Sequence, residues 1–193
     1  MSRPRSFDEP EVLSGAMHAF RRSGFSTISV RALEEATGLS VGSIYNTYGD
    51  KAGLFKASFA HYVDSVLRRR IATHAGQAKG LDGVRALFQS LLREPGGGNH
   101  GCLITNSAIE FGSDGVLPEG ALGEAFEILR AALQDRLADA QARKLLPKGL
   151  SPAVAALKLM TFYQGVLVLV RAGYDKRNLK QAIDLEFDIL VGT

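Results

Sequence analysis

Residues 28–48 read ISVRALEEATGLSVGSIYNTY, and this stretch decides the fold. Val30, Leu33 and Ala36 recur at helical spacing, which gives Ile28 to Ala36 one apolar face and one charged face carrying Arg31, Glu34 and Glu35. Thr37-Gly38-Leu39 breaks the pattern, with Gly38 free to take the positive φ that a turn between helices needs. Ser40 is a natural N-cap for a second helix, Val41 to Tyr48. That helix is too short and too polar for a core. Ile44 and Val41 can face inward, whereas Ser43, Tyr45, Asn46, Thr47 and Tyr48 offer donors, acceptors and flat rings. Gly42 lets the backbone come close to another surface. Helix, tight turn and short polar helix together fit a helix-turn-helix whose second helix enters the DNA major groove. A helical hairpin inside an ordinary all-α domain would share the outline.

The flanks separate the two readings. The run AFRRSGFSTISVRALEEATGLSVGSIYNTYGDKAGLF resembles the N-terminal DNA-binding domain of the TetR family of transcriptional regulators. The resemblance covers roughly residues 8 to 60. It implies an all-α fold of about nine helices, with an N-terminal three-helix DNA-binding domain and a larger helical domain for ligand binding and dimerisation. We expect a division into residues 1–50 and 51–193, with a fourth helix, 51–73, connecting them. It further implies contacts with double-stranded DNA from Thr27, Arg31, Ser40, Val41, Gly42, Ser43, Tyr45, Asn46, Tyr48 and Lys51. Tyr45 and Lys51 match positions that touch the DNA backbone in relatives. Val41 stands where many relatives carry a lysine or arginine, so the contact open to it is with a thymine methyl group.

Composition sets outer bounds. A chain of 193 residues with 46% hydrophobic and 22% charged residues can bury a sizeable core. Its net charge of +3 permits nucleic-acid binding without arguing for it. A single cysteine leaves no internal disulfide and fits a reducing cytoplasm. The opening MSRPRSFDEPE lacks the apolar segment of a signal peptide. Residues 153–172 approach the length of a membrane span, but Lys158, Thr161, Gln164 and Arg171 interrupt them, which favours a buried helix and no membrane.

Ser2 to Ser6 forms a short basic arm, read as a frayed terminus rather than a minor-groove contact. The spacing predicts a first helix from Asp8 to Ser23, ended by Gly24, with Ser26-Thr27 capping the second helix and able to hold a phosphate. Asp50-Lys51 opens the fourth helix in the same manner. Arg68-Arg69-Arg70 reads as a solvated face. A fifth helix is expected over 81–93, followed by a glycine-rich loop from Glu94. No Lys-Ser/Thr pair follows those glycines in the register of a phosphate-binding loop. A sixth helix should begin near Gly101, a seventh span 119–144, an eighth run from a Ser151-Pro152 cap to Ala172, and the last occupy 176–191.

The segment GCLITNSAIE (101–110) is similar to the electrophile-responsive, N-ethylmaleimide repressor branch of the same family. That likeness implies a sensor role for Cys102. A cysteine at a helix N-terminus near His100 has its thiolate favoured by the helix dipole; a free cysteine also serves as a small buried hydrophobe. Tyr62, Phe88, Cys102, Asn106, Glu110, Phe126, Phe162, Tyr163 and Gln164 are the candidate lining of a small-molecule effector site. Each aromatic among them would serve equally as plain core.

The eighth helix is apolar around most of its circumference, and so few helices cannot cover it. Pairing of the last two helices with those of a second copy would bury it in a four-helix bundle. Such a homodimer places two recognition helices ~34 Å apart, one turn of a palindromic operator. An enzyme is the rival reading, yet His18, His61, His74 and His100 are scattered, with no HExxH, no second cysteine and no GxSxG. No catalytic residue, metal or cofactor is expected. A dimeric interaction module without DNA is the other rival, and it has no use for Tyr45, Asn46 and Tyr48 on a short polar helix.

Overall fold

The computed structural model describes residues 7–93, 98–112 and 115–192. The basic arm Ser2–Ser6 and the first part of the glycine-rich loop lie outside the described residues. Among the described residues every regular element is helical.

The described residues of Met1–Val66 and Cys102–Leu122 form one compact unit, and those of Leu67–Gly101 and Gly123–Thr193 another. The first unit holds α1 (Glu9–Ser23), α2 (Val30–Thr37), α3 (Val41–Tyr48), α4 (Lys51–Tyr62) and α7 (Leu103–Phe111). The second holds α5 (Arg69–Ala75), α6 (Gly80–Gln89), α8 (Ala121–Ala142) from Gly123 onward, α9 (Pro152–Arg171) and α10 (Lys176–Val191). Helix continues from α4 to α5 through a π-helical segment, Val63–Arg68. With residues 51–75 counted as one run, the described residues contain nine α-helical runs.

Side-chain caps fix most helix starts. Asp8 accepts from the Glu11 N–H, Ser40 from Ser43, Asp50 from Gly53 and Asp175 from Arg177. Each occupies an orphan donor of a first turn. The expected cap of α2 is corrected: Ser29, not Ser26-Thr27, accepts from the Ala32 N–H at 3.1 Å. The reason is Ile28, which is buried in the core of the first unit and holds its neighbours out of the helix. The predicted plain helix over 51–73 also differs. Within the π-helical segment the Ser65 hydroxyl donates to the His61 carbonyl at 2.6 Å, competing with the α ladder there. The fifth helix ends in a 3-10 turn, Ser90–Leu92, and the sixth starts at Leu103 rather than Gly101. The seventh is shorter at both ends than expected, and Lys144 takes φ 62° just beyond its C-terminal end.

In the first unit Phe20, Leu33, Ile44, Leu54 and Phe55 are fully buried. Phe20 meets Phe55 edge-on at 4.9 Å, and Phe25 and Phe111 complete the aromatic cluster. In the second unit Phe88 and Phe187 pack edge-on at 5.3 Å between α6 and α10. Arg85 pairs with Asp188 and Gln89 donates to Asp184 across the same two helices.

Helix α9 is long and apolar enough, by length and composition, to cross a membrane. Ala155, Ala156, Leu159, Tyr163, Val166, Leu167 and Val170 are nevertheless buried within the protein. Its Lys158 forms an ion pair with Glu186 of α10 at 2.6 Å, and Arg171 donates to the His100 carbonyl at 2.8 Å.

Candidate nucleic-acid interface

Helix α3 is built as a presented surface. Ile44 alone among its residues is buried, and it anchors the helix from below. Tyr45 is 46% exposed, and Gly42 and Asn46 are exposed beside it on the same turns. The Ser40 and Ser43 hydroxyls bond each other at 2.9 Å, and Ser40 also accepts the Ser43 N–H, so both are partly committed to the cap. Glu34 of α2 accepts the Val41 N–H at 3.3 Å and ties the two helices of the motif together. The turn between them follows the sequence: Gly38 is left-handed at φ 69°, and the Thr37 hydroxyl donates to Leu33 and accepts from Leu39.

The remaining candidate DNA contacts stand around this helix. Thr27 and Arg31 are exposed, Val41 and Tyr48 are half-buried, and Lys51 is the first residue of α4. The Lys51 ammonium sits over the Phe25 ring, 4.7 Å from its centroid, a cation–π contact that holds the charge near the start of α4.

Two glycines that the sequence reading passed over set the spacing of these helices. A Cβ on Gly15 of α1 would fall 2.1 Å from the Ala36 carbonyl oxygen of α2, and one on Gly53 would fall 1.8 Å from the Tyr48 carbonyl oxygen of α3. No local signal marks them, because neither has a positive φ.

The effector candidates fall into two groups. Phe88, Phe162 and Tyr163 come together in the second unit: Phe162 stacks on Phe88 at 5.7 Å and Tyr163 meets it edge-on at 5.2 Å. Phe126 and Gln164 are half-buried on α8 and α9 of that unit. In the first unit Tyr62 is buried, Cys102 is the half-buried N-cap residue of α7, and Asn106 and Glu110 follow on that helix. Asn106 donates to the Arg21 carbonyl at 3.2 Å. The Glu110 carboxylate accepts the N–H groups of Phe25 at 3.0 Å and Ser26 at 2.6 Å. Burial opposes its ionisation, but these bonds, the Ser26 hydroxyl and the Lys51 charge together hold the carboxyl below the usual glutamate value. The Ser26 N–H of the expected phosphate-holding pair Ser26-Thr27 is therefore already occupied.

The fold is shared with known proteins. Residues 12–58 match the family model for bacterial regulatory proteins of the tetR family, and residues 80–185 match that for the tetracyclin repressor-like C-terminal domain. The chain is 25% identical over 182 residues to the HTH-type transcriptional repressor ComR of Escherichia coli, covering 93% of this chain and 87% of that protein. Among solved structures it is similar to a cysteine variant of the TetR family regulator CifR complexed with a 26-base-pair operator DNA. That likeness has a TM-score of 0.77 and 25% identity, and it covers 98% of this chain and 100% of the other. Reduced NemR of E. coli shares the fold, with a TM-score of 0.78 at 19% identity over 95% of this chain and 97% of the other.

Proposed function

Because the chain belongs to the TetR family of bacterial transcriptional regulators, it is a DNA-binding regulator and not an enzyme, and we propose that it represses transcription as a cytoplasmic homodimer on a palindromic operator. Residues 1–50 are the DNA-binding domain in this reading and 51–193 the ligand-binding and dimerisation domain, with the helix over 51–73 connecting them. The observation that carries the reading is the exposed polar face of α3, braced by one buried Ile44 and by the Glu34 bond to Val41. Tyr45 and Asn46 meet base edges and sugar–phosphate, while Thr27 and Lys51 meet backbone phosphates.

The homodimer rests on a second observation. Val154, Leu157, Val168 and Leu169 of α9, with Leu185 and Ile189 of α10, are large apolar side chains left exposed on the last two helices. A stripe of that size on two adjoining helices is what a second copy would cover. A small-molecule or electrophile effector would act by shifting the population away from the form whose recognition helices match the half-site spacing. Cys102 at the start of α7 is the candidate for covalent modification, and the aromatic group around Phe88 the candidate for a non-covalent ligand.

The test is selection of duplexes from a random-sequence library by the wild-type chain, followed by footprinting of the recovered sequence. A palindromic footprint centred on two half-sites one helical turn apart supports the proposal. Recovery of no preferred sequence, with a chain that is folded and monomeric, would overturn it.

A further inference from the structure

We propose that Glu110 is a positioning residue for DNA binding: its carboxylate holds the α1–α2 turn, and with it Thr27 and Lys51, in the shape that meets the operator. The inference rests on the regulator reading above.

Glu110 is the next-to-last residue of α7, where the helix dipole is negative and a carboxylate is disfavoured. A local preference broken in this way calls for a compensating contact. That contact is the turn joining α1 to α2, in which the N–H groups of Phe25 and Ser26 both point at the Glu110 oxygens. Gly24 makes room for it. At φ 80° it ends α1, and a Cβ on it would stand 3.3 Å from Glu110 Oε2. One turn earlier on α7, Asn106 donates to the carbonyl of Arg21 near the end of α1. Phe111 adds an edge-on contact with Phe25 at 5.6 Å, and the Lys51 ammonium sits over the same Phe25 ring. Glu110 and Phe111 thus grip the turn and Asn106 the end of the helix before it, and the turn carries Thr27 and, through Phe25, supports Lys51.

Two consequences of opposite sign follow from the same carboxylate. As a brace, Glu110 favours operator binding, and removing it weakens binding. As a bare negative charge near Lys51, it repels phosphate, and removing it tightens binding on any sequence. The geometry favours the brace, because the charge is spent on two backbone donors.

The experiment titrates wild type, Glu110→Ala and Glu110→Gln against the library-selected duplex and an unrelated duplex at one salt concentration. Amide exchange at Phe25, Ser26, Leu33 and Ile44 is followed in parallel. Glu110→Ala is expected to bind the selected duplex about tenfold more weakly, the scale of losing a charge-assisted hydrogen bond, and the unrelated duplex more weakly as well, because the Thr27 and Lys51 contacts that it positions are with phosphates. Glu110→Gln, which keeps one acceptor, should fall between. Phe25 and Ser26 amides should exchange faster in Glu110→Ala while Leu33 and Ile44 stay protected, which separates a loosened turn from an unfolded domain. Should Glu110→Ala fail to fold, Glu110→Gln carries the test with the same two readouts. Equal or tighter binding by both variants overturns the proposal while leaving the regulator intact. A wild-type chain that selects no duplex overturns the regulator reading, and this inference with it.

Discussion

The α carbon of Gly15 faces the carbonyl oxygen of Ala36 so closely that a single added methyl group would lie 2.1 Å from it. Helices α1 and α2 are therefore in backbone contact, and the orientation of the helix-turn-helix depends on an absent side chain. Gly15→Ala forces them apart. The expected cost is about 1–3 kcal/mol, typical of overpacking, in spite of the better helix propensity of alanine. Thermal unfolding followed by circular dichroism measures it, and a variant as stable as wild type would mean that α2 sits elsewhere.

Acid should loosen the DNA-binding unit through Glu110. Its folded-state pKa lies below its ordinary value, with burial opposed and outweighed by the bonds from Ser26 and Phe25 and by Lys51. A depressed carboxylate contributes stability in full above its unfolded pKa, about 4.3 for a glutamate, and loses it as pH falls through the lower folded value. Glu110→Gln should therefore show a shallower fall of stability with acid than wild type, measured by urea unfolding from pH 6 down to about 3. Parallel curves would contradict the assignment.

Introducing charge into the exposed stripe of the last two helices should break the dimer. Leu157→Glu with Leu185→Asp places unpaired carboxylates where α9 and α10 leave large apolar side chains exposed. Sedimentation equilibrium is expected to show a dimer for wild type and a folded monomer for the double variant. Unchanged dimerisation would move the interface to another surface.

Much of this arrangement was legible in the sequence because caps and turns announce themselves locally. Ser40 and Gly49 bracket α3, and Asp175 and Gly192 bracket α10, so both helices have the boundaries their residues predict. Three hydroxyl residues before α2 could each cap it, and only the tertiary burial of Ile28 selects Ser29. The role of Gly15 depends on a carbonyl 21 residues away, and that of Glu110 on N–H groups 84 and 85 residues away. No periodicity or spacing encodes such contacts. Asn106 and Glu110 were readable as residues of one helix and as candidate lining of an effector site. What lay against that helix was not.

Cys102 can be separated from the rest by chemistry. Operator complexes of wild type and Cys102→Ser, treated with N-ethylmaleimide, should diverge if modification is the signal: the wild type dissociates and the serine variant stays bound. Equal behaviour would assign Cys102 to packing at the start of α7 and direct the search for an effector to the aromatic group around Phe88.

The most direct test of the account is operator affinity by fluorescence anisotropy for wild type, Tyr45→Ala, Asn46→Ala and Lys51→Ala, each first shown to be folded and dimeric. Tyr45→Ala and Asn46→Ala are expected to lose about 10- to 100-fold on the selected duplex, and Lys51→Ala to lower the salt dependence by about one phosphate contact. Wild-type affinity in all three variants would contradict the assignment of α3 as the recognition helix.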